Sequence, residues 1–314
     1  MITTEICTLL GIRYPVFQGG MAWIADGRLA AAVSEGGGLG IIAAGNAPAD
    51  YVREQIRSAR SMTQKPIGVN IMLMSPFADQ IAQVVVEEKV QVVTTGAGNP
   101  SKYMKEWKSA GIKVIPVVAS VAMAKLMTRL GADALIAEGG ESGGHVGELT
   151  TMVLVPQICD ATHLPVLAAG GIADGRGVAA AFMLGAQGVQ MGTRFLSAEE
   201  CTIHPNYREK ILKATDLCTM VTGKRLGHPV RSLRTQFARN YAKAEFSDTT
   251  DEDLEAMGTG ALRLAVQEGD NERGCFLSGQ IAAMVHEMQP AAQIVKEVME
   301  GAEPLLAGAA KWVK

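Results

Sequence analysis

His145 lies in a glycine-rich segment that directly follows an apolar run. Residues 138–147 read Glu-Gly-Gly-Glu-Ser-Gly-Gly-His-Val-Gly, and residues 134–137 before them read Ala-Leu-Ile-Ala. The glycines place the imidazole on backbone with little side-chain packing, and an imidazole exchanges protons near neutral pH. We therefore predict that His145 delivers a proton in catalysis, with a histidine on a surface loop as the alternative.

Amides and glycines follow other apolar runs in the same way. Asn70 and Gln190 donate and accept hydrogen bonds in one plane, which suits the edge of a flat heterocycle better than a sugar or a metal ion. Gly19 and Gly20 let a ring lie on bare backbone. These residue types predict a site for a flat ring with a polar edge.

Metal binding and nucleophilic hydrolysis are poorly supported. His145 has no second histidine or carboxylate cluster at ligand spacing, although Glu138 and Glu141 are close in sequence. Ser142 is not part of a Gly-x-Ser-x-Gly elbow. The five cysteines are scattered and include no Cys-x-x-Cys pair, which indicates a reduced protein without structural zinc. We expect no metal site.

Eight short apolar runs alternate with helical patterns across residues 15–196. Near-continuous apolar runs of this length are typical of parallel strands buried on both faces. Eight strands, each followed by a helix, predict an α/β fold, a (β/α)8 TIM barrel. The runs occupy residues 15–20, 38–44, 66–73, 90–95, 113–119, 134–138, 165–171 and 188–196.

An open doubly wound sheet is the rival fold, because residues 175–180 match the dinucleotide pattern Gly-x-Gly-x-x-Ala. That pattern belongs at the first strand–helix turn and here lies in the seventh unit, which favours the barrel.

Helix ends in this region carry capping residues. The predicted N-caps are Asp26, Ser75, Ser120 and Asp174, and the predicted C′ glycines are Gly111, Gly131 and Gly185.

The chain after residue 196 breaks this rhythm. Leu233, Phe237 and Tyr241 recur at every fourth position, which is typical of a helix, and a helical pattern returns after residue 273. We predict three segments: a cofactor-binding barrel (1–196), an inserted helical cap or substrate subdomain over the barrel mouth (197–272), and C-terminal helices that close the barrel (273–314).

Composition argues against several classes of partner. Net charge is −3, so nucleic acid is not an expected partner. No run approaches the roughly 18 apolar residues of a membrane span. The first residues lack the basic and apolar regions of a signal peptide. We expect a cytoplasmic protein.

Small residues at the last two strand ends suit a phosphate group. Active sites of such barrels gather at the carboxyl ends of the strands, with phosphates commonly at the seventh and eighth. Gly170 and Gly171 follow the seventh run, and Gly192 and Thr193 follow the eighth. Exposed backbone N–H groups and a helix N-terminus bind phosphate without a lysine. Tight strand–helix turns are the alternative interpretation.

Taken together, these segments resemble the FMN-dependent enoyl-acyl-carrier-protein reductase II family, sister to the nitronate monooxygenases. The likeness spans nearly the whole chain, and the motifs are specific only in combination. They are Pro-Val-Phe-Gln-Gly-Gly-Met at 15–21, Gly-Val-Asn at 68–70, the segment 138–145, Ala-Gly-Gly-Ile at 169–172, and Gln-Met-Gly-Thr-Arg-Phe at 190–195.

The resemblance implies FMN at the barrel mouth and His145 as the catalytic histidine. It further implies NADH or NADPH as co-substrate, a monovalent cation as an additional cofactor, an enoyl-loaded acyl-carrier protein as partner, and a homodimer. Residues implied around the flavin ring and ribityl chain are Gly19, Gly20, Met21, Asn70, Glu138 and Gln190. Residues implied at the phosphate are Gly170, Gly171, Gly192 and Thr193.

Two positions beside His145 separate the sister families. Ser142 and Val146 are typical of the reductases, whereas the monooxygenases tend to have Ala and Arg there, and residues 227–231 also look like the reductases. The implied reaction is NAD(P)H-dependent, FMN-mediated reduction of a trans-2-enoyl-acyl-carrier protein in bacterial fatty-acid elongation. The alternatives are a monooxygenase that oxidises alkyl nitronates with FMN and O2, and a flavin-binding regulatory barrel without turnover.

Basic residues are concentrated in the predicted cap. Residues 197–245 carry nine Lys and Arg against five Asp and Glu. Because acyl-carrier proteins are acidic, Arg231 and Arg234 are predicted to attract such a partner to the mouth. An ordinary solvated helix face is the alternative.

Overall fold

Eight parallel strands form the barrel that the alternating pattern predicts. The computed structural model describes residues 2–312, so residues 1, 313 and 314 of the predicted segments lie outside it. The strands in chain order are β1 (Val16–Gln18), β2 (Gly40–Ala43), β3 (Ile67–Met72), β4 (Val92–Gly96), β5 (Lys113–Val118), β6 (Leu135–Glu138), β7 (Gly144–His145), β8 (Val166–Ala169), β9 (Gly188–Met191), β10 (Thr219–Thr222) and β11 (Val230–Leu233).

The barrel sheet runs in the order β1-β9-β8-β6-β5-β4-β3-β2 and is closed between β1 and β2. Phe17 forms an isolated parallel bridge to Leu39 at this seam. The side-chain amide of Gln18, which is completely buried, donates to the carbonyl of Ile41 and accepts its N–H, each at 3.2 Å. A side-chain amide thus extends the backbone pairing that the three-residue β1 leaves incomplete.

Helices surround the barrel, and α1 fills its amino-terminal end. Ile6 and Leu10 of α1 pack with the inward-facing side chains of the barrel. Among the described residues, no helix has both the length and the apolar character needed to cross a membrane. The helices are α1 (Glu5–Leu10), α2 (Gly27–Glu35), α3 (Ala49–Met62), α4 (Ala78–Glu87), α5 (Ser101–Ser109), α6 (Val121–Arg129), α7 (Thr151–Ala161), α8 (Gly175–Met183), α9 (Pro205–Leu212), α10 (Gln236–Glu245), α11 (Asp251–Gly258), α12 (Ala261–Arg263) and α13 (Ala291–Ala307).

Three of the four predicted N-caps are confirmed. The side chains of Asp26, Ser120 and Asp174 accept backbone N–H groups in the first turn of α2, α6 and α8. Ser75 is wrong as a cap, because α4 begins three residues later, at Ala78, and its N-cap position is Phe77. The Ser75 hydroxyl instead accepts the N–H of Phe77 at 3.3 Å, in a turn before the helix. The predicted C′ glycines all have positive φ: Gly111 (77°), Gly131 (86°) and Gly185 (99°).

The dinucleotide-like pattern at residues 175–180 serves helix packing. Gly175 is the first residue of α8, and a Cβ added there would lie 2.3 Å from the carbonyl carbon of Gly301 in α13. Only glycine therefore permits this close contact between α8 and α13. The barrel topology excludes the rival doubly wound sheet.

The last helix, α13, completes the ring by packing against α8 and α2. Ile294 and Val298 face the core, as the pattern predicts.

The prediction of continuous helix from residue 274 is wrong for 274–290, where a single 3-10 turn, Gln280–Met284, is followed by extended chain. The N–H of Gln289 donates to the carbonyl of Ser197 and its carbonyl accepts from Glu199, so backbone pairing replaces helix here.

The segment 197–272 is mainly helical but also contains strands. β10 and β11 form an antiparallel hairpin whose turn uses left-handed glycines at Gly223 and Gly227. Leu233 belongs to β11 and not to a helix, since α10 begins only at Gln236 after the Thr235 cap. β11 also pairs with β7, the two-residue strand that contains His145. The domain limits at residues 196 and 272 stay a prediction.

Candidate active site at the barrel mouth

The carboxyl ends of the barrel strands surround a cavity of about 470 Å³. This volume lies in the range of small-molecule sites. Every site residue expected from the sequence lines it, although their roles in binding stay predictions. These residues are Gly19, Gly20, Met21, Asn70, Glu138, His145, Gly170, Gly171, Gln190, Gly192 and Thr193.

The backbone at Gly19 and Gly20 lies directly against two amide side chains. A Cβ added to Gly20 would come within 2.3 Å of the Cβ of Asn70, and one on Gly19 within 3.1 Å of Cδ of Gln190. The amide of Asn70 is fixed by donating to Oγ1 of Thr94 at 3.0 Å. Glycine is therefore required at residue 20, and at residue 19 it avoids a tight contact, so the backbone after β1 can lie against the two amides.

Three glycines that line the cavity have unpaired backbone N–H groups. Gly170 and Gly171 follow β8 with consecutive positive φ angles of 87° and 74°. Within residues 2–312, the N–H groups of Gly170, Gly171 and Gly192 have no hydrogen-bond acceptor. Oγ1 of Thr193 accepts the N–H of Gly279 at 2.8 Å, which orients this hydroxyl. Such a concave set of free N–H groups is suited to an anion.

Glu141 has a structural role that the sequence analysis did not identify. Its carboxylate accepts the N–H of Thr151 at 3.0 and 2.9 Å and the Thr151 hydroxyl at 2.9 Å. It therefore caps the N-terminus of α7 from ten residues upstream and fixes the loop between them. Local capping rules could not find it, because they examine only the residues next to a helix.

Glu138 and Ser142 lie together at the end of β6. Burial raises the pKa of the Glu138 carboxyl. The Ser142 hydroxyl is buried and has no hydrogen-bond partner within the described chain. Since buried polar groups are almost always paired, this hydroxyl is available to a polar atom of a bound ligand. Ser142 was not among the site residues expected from the sequence, because its neighbours give no signal for an unpaired hydroxyl.

His145 extends from the rim and is solvent-exposed. Partial desolvation, and secondarily the neighbouring His228, lower the pKa of its imidazole. Within residues 2–312, no hydrogen bond to the His145 side chain is formed. The imidazole is thus free to meet a molecule bound in the cavity.

Residues 276–280, in the C-terminal part of the chain, also contribute to the mouth. The Tyr207 hydroxyl donates to the carbonyl of Leu277 at 2.5 Å, and the N–H of Gln280 donates to the carbonyl of Glu141 at 2.9 Å. Leu277 and Gly279 line the cavity. From the sequence this region was expected only to close the barrel, because nothing in its local pattern marks it as part of a site.

The predicted basic rim is wrong for Arg231. Its guanidinium turns inward and donates to the carbonyl of Gly140 from Nε at 3.1 Å and from Nη2 at 2.9 Å. The guanidinium is therefore engaged within the chain and only partly exposed, so it is not a free rim charge. Arg234 is exposed and donates to the carbonyl of Thr219 at 3.2 Å. A docking role for Arg234 stays a prediction.

These features together fit a flat heterocycle that carries a phosphate. Two amides, bare backbone, unpaired N–H groups and an unpaired hydroxyl all belong to residues that line the cavity. A phosphate matches the N–H groups, and a ring with a polar edge matches the amides.

The chain is similar to known proteins over most of its length. The family model described as nitronate monooxygenase matches residues 3–83 and 75–301. FabK from Thermotoga maritima has a solved structure that is 51% identical, with a TM-score of 0.97 and complete coverage of both chains.

Two curated relatives are each 32% identical to the chain. One is the (3aS,4S,5R,7aS)-5-hydroxy-7a-methyl-1-oxo-octahydro-1H-indene-4-carboxyl-CoA dehydrogenase of Mycobacterium tuberculosis, with 95% of each chain covered. The other, from Staphylococcus saprophyticus, is named "Probable nitronate monooxygenase", with 96% of this chain and 98% of the relative covered.

Proposed function

The chain belongs to the nitronate monooxygenase family, and we propose that it is an FMN-dependent enoyl-acyl-carrier-protein reductase that uses NADH or NADPH. The observation that carries this proposal is its 51% identity to FabK over both complete chains, against 32% to the relative named as a monooxygenase. Ser142 and Val146 beside His145 support the same choice. The product would be a saturated acyl-carrier protein in fatty-acid elongation.

The cavity residues divide among the parts of FMN. Asn70, Gln190 and the backbone of residues 19–21 would hold the ring, and Glu138 with Ser142 would face the ribityl chain. The N–H groups of residues 170, 171 and 192, with the Thr193 hydroxyl, would bind the phosphate. When bound, FMN supplies two-electron chemistry, taking a hydride from NAD(P)H and giving one to the β-carbon of the enoyl thioester.

His145 would deliver the proton to the α-carbon, directly or through one water. The lowered pKa makes the protonated imidazole a stronger acid and reduces the fraction of His145 that is protonated at neutral pH, so proton delivery should weaken as pH rises. We propose that the segment 197–272 covers the acyl chain and helps to exclude water. An acidic acyl-carrier protein as partner and a homodimeric assembly are further parts of the proposal. Requirement for a monovalent cation is best tested by replacing K⁺ with a bulky organic cation in the assay.

Nitronate oxidation with O2 is the second candidate. It is favoured by the family description and by the relative named for that activity, which 96% of this chain matches. That reaction uses the same cavity but requires no NAD(P)H. A flavin-binding barrel without turnover is the third candidate, and the free imidazole at the cavity mouth argues against it.

One pair of assays tests the proposal. Protein reconstituted with FMN is given NADH or NADPH with crotonyl thioester without oxygen, and separately an alkyl nitronate in air. We expect nicotinamide oxidation that depends on crotonyl thioester, and little nitronate-dependent oxygen uptake. The reverse pattern would support the monooxygenase. Protein that stays colourless after addition of FMN would contradict both flavoenzymes.

A further inference from the structure

We propose that Arg231 is a positioning residue through which the segment 197–272 sets the orientation of His145. It acts on the loop of residues 139–149, which we call the histidine loop. The kinetic part of this inference rests on the proposed reductase function. The structural part rests only on hydrogen bonds between β11 and the histidine loop.

Arg231 holds the base of the histidine loop. The N–H of Gly140 donates to the carbonyl of Leu149 at 2.8 Å, which brings the two ends of the loop together. The carbonyl of Gly140 accepts both Nε and Nη2 of Arg231. No other donor among residues 2–312 reaches this carbonyl. Loss of the guanidinium would therefore leave it unpaired in a half-buried position.

The same strand holds the tip of the loop. Arg231 pairs with Gly144 and Val230 with His145 in the antiparallel ladder. The N–H of Val146 donates to the carbonyl of Pro229 at 3.0 Å. His145 consequently lies between two attachments to β11, and both must be intact for the imidazole to keep one direction.

Arginine is suited to this position for a geometric reason. Its planar fork places two donors on one carbonyl while Nη1 donates to Oγ1 of Thr219 on β10, at 3.2 Å. Lysine keeps the charge but offers a single flexible ammonium group. A lysine variant should therefore retain only part of the function of Arg231.

The test compares Arg231→Met and Arg231→Lys with Arg239→Met, a matched change on the exposed face of α10. The substrate is crotonyl-CoA, so that carrier-protein docking plays no part. We expect kcat of Arg231→Met to fall roughly 10- to 100-fold, as for a misplaced catalytic group, with KM and bound FMN within about twofold. Arg231→Lys should lie between, and Arg239→Met should match the wild type.

Hydrogen–deuterium exchange of residues 139–149 is a second measurement, and it does not depend on the reaction. Exchange at Val146 should accelerate in Arg231→Met while the barrel strands stay protected.

Unchanged kcat in a folded Arg231→Met protein would overturn the proposal, as would faster exchange throughout the barrel with loss of FMN. If that variant does not fold, wild-type kcat in Arg231→Lys overturns the proposal and a partial loss supports it. Failure of the wild type to reduce enoyl thioesters would contradict the proposed function, while the exchange result would still decide the role of Arg231.

Discussion

Val230 of β11 lies directly opposite His145 of β7 in an antiparallel pair. The barrel strands supply the walls of the cavity, but the histidine at its mouth is supported by a strand from the segment inserted after the barrel. A change in that segment should therefore alter the proposed proton delivery without touching the residues that line the cavity.

Replacing His145 with alanine should abolish most turnover and leave bound FMN unchanged. A general acid typically contributes about 10²- to 10⁴-fold, so kcat for enoyl reduction should fall by that factor. Steady-state rates and the flavin absorbance of purified protein measure both quantities. His163→Ala, an exposed site before β8 at the opposite end of the barrel, is the control. Undiminished kcat in His145→Ala would remove His145 from the mechanism.

Replacing His228 with glutamine should raise the pKa of His145. Desolvation is the larger cause of the lowered pKa and would remain, but the second cause, repulsion by His228, would be lost. Because a general acid must be protonated, kcat should persist to higher pH in the variant. The pH dependence of kcat measures the shift, and the exposed His286→Gln is the control. A shift to lower pH would contradict the assignment.

Replacing Glu138 with glutamine should stabilise the FMN-free protein at neutral and alkaline pH. Burial raises the folded-state pKa of this carboxyl, so its contribution to stability is complete below the unfolded-state pKa and is lost as pH rises through the folded-state pKa. Glutamine is neutral throughout and avoids that loss. Thermal unfolding should show a higher Tm for Glu138→Gln at alkaline pH and a vanishing difference in acid. A constant difference across pH would show that ionisation is not the cause.

Alanine at Gly20 should disrupt the cavity wall. The new Cβ would lie 2.3 Å from Cβ of Asn70, an atom too close to the backbone to move easily. Overpacking of this kind costs about 1–3 kcal/mol, and displacement of Asn70 should weaken FMN binding. Thermal unfolding and FMN titration test this. Gly258→Ala is the control, because its Cβ would lie 3.8 Å from the Tyr241 ring, an ordinary contact. Equal behaviour of the two variants would argue against a role for Gly20.

Reversing the charge of Arg234 should raise KM for an acyl-carrier-protein substrate and leave KM for the matching CoA thioester unchanged. The exposed guanidinium would attract an acidic protein but has no part in the cavity. Lys65→Glu, an exposed change before β3 at the opposite end of the barrel, controls for net charge. An equal rise in KM for both substrates would mean that Arg234 acts on the cavity itself.

Much of this fold could be predicted because its signals are local. Buried parallel strands appear as short apolar runs, and side chains such as Asp26 and Asp174 cap the helices that follow them. Parallel strands also end at one edge of a barrel, so residues at those ends must share a site. The sequence could therefore place Asn70, Gln190 and His145 around one cavity without any knowledge of distances.

Only the tertiary structure decided what supports that cavity. The bond from Arg231 to the carbonyl of Gly140 spans 91 positions of sequence, and the strand that carries His145 is two residues long. Glu141 likewise caps a helix that begins ten residues away. Such contacts leave no periodic pattern, because each depends on where two distant segments meet after folding. The sequence by itself determined the barrel and the residues at its mouth, whereas the folded chain decided which of them are held and by what.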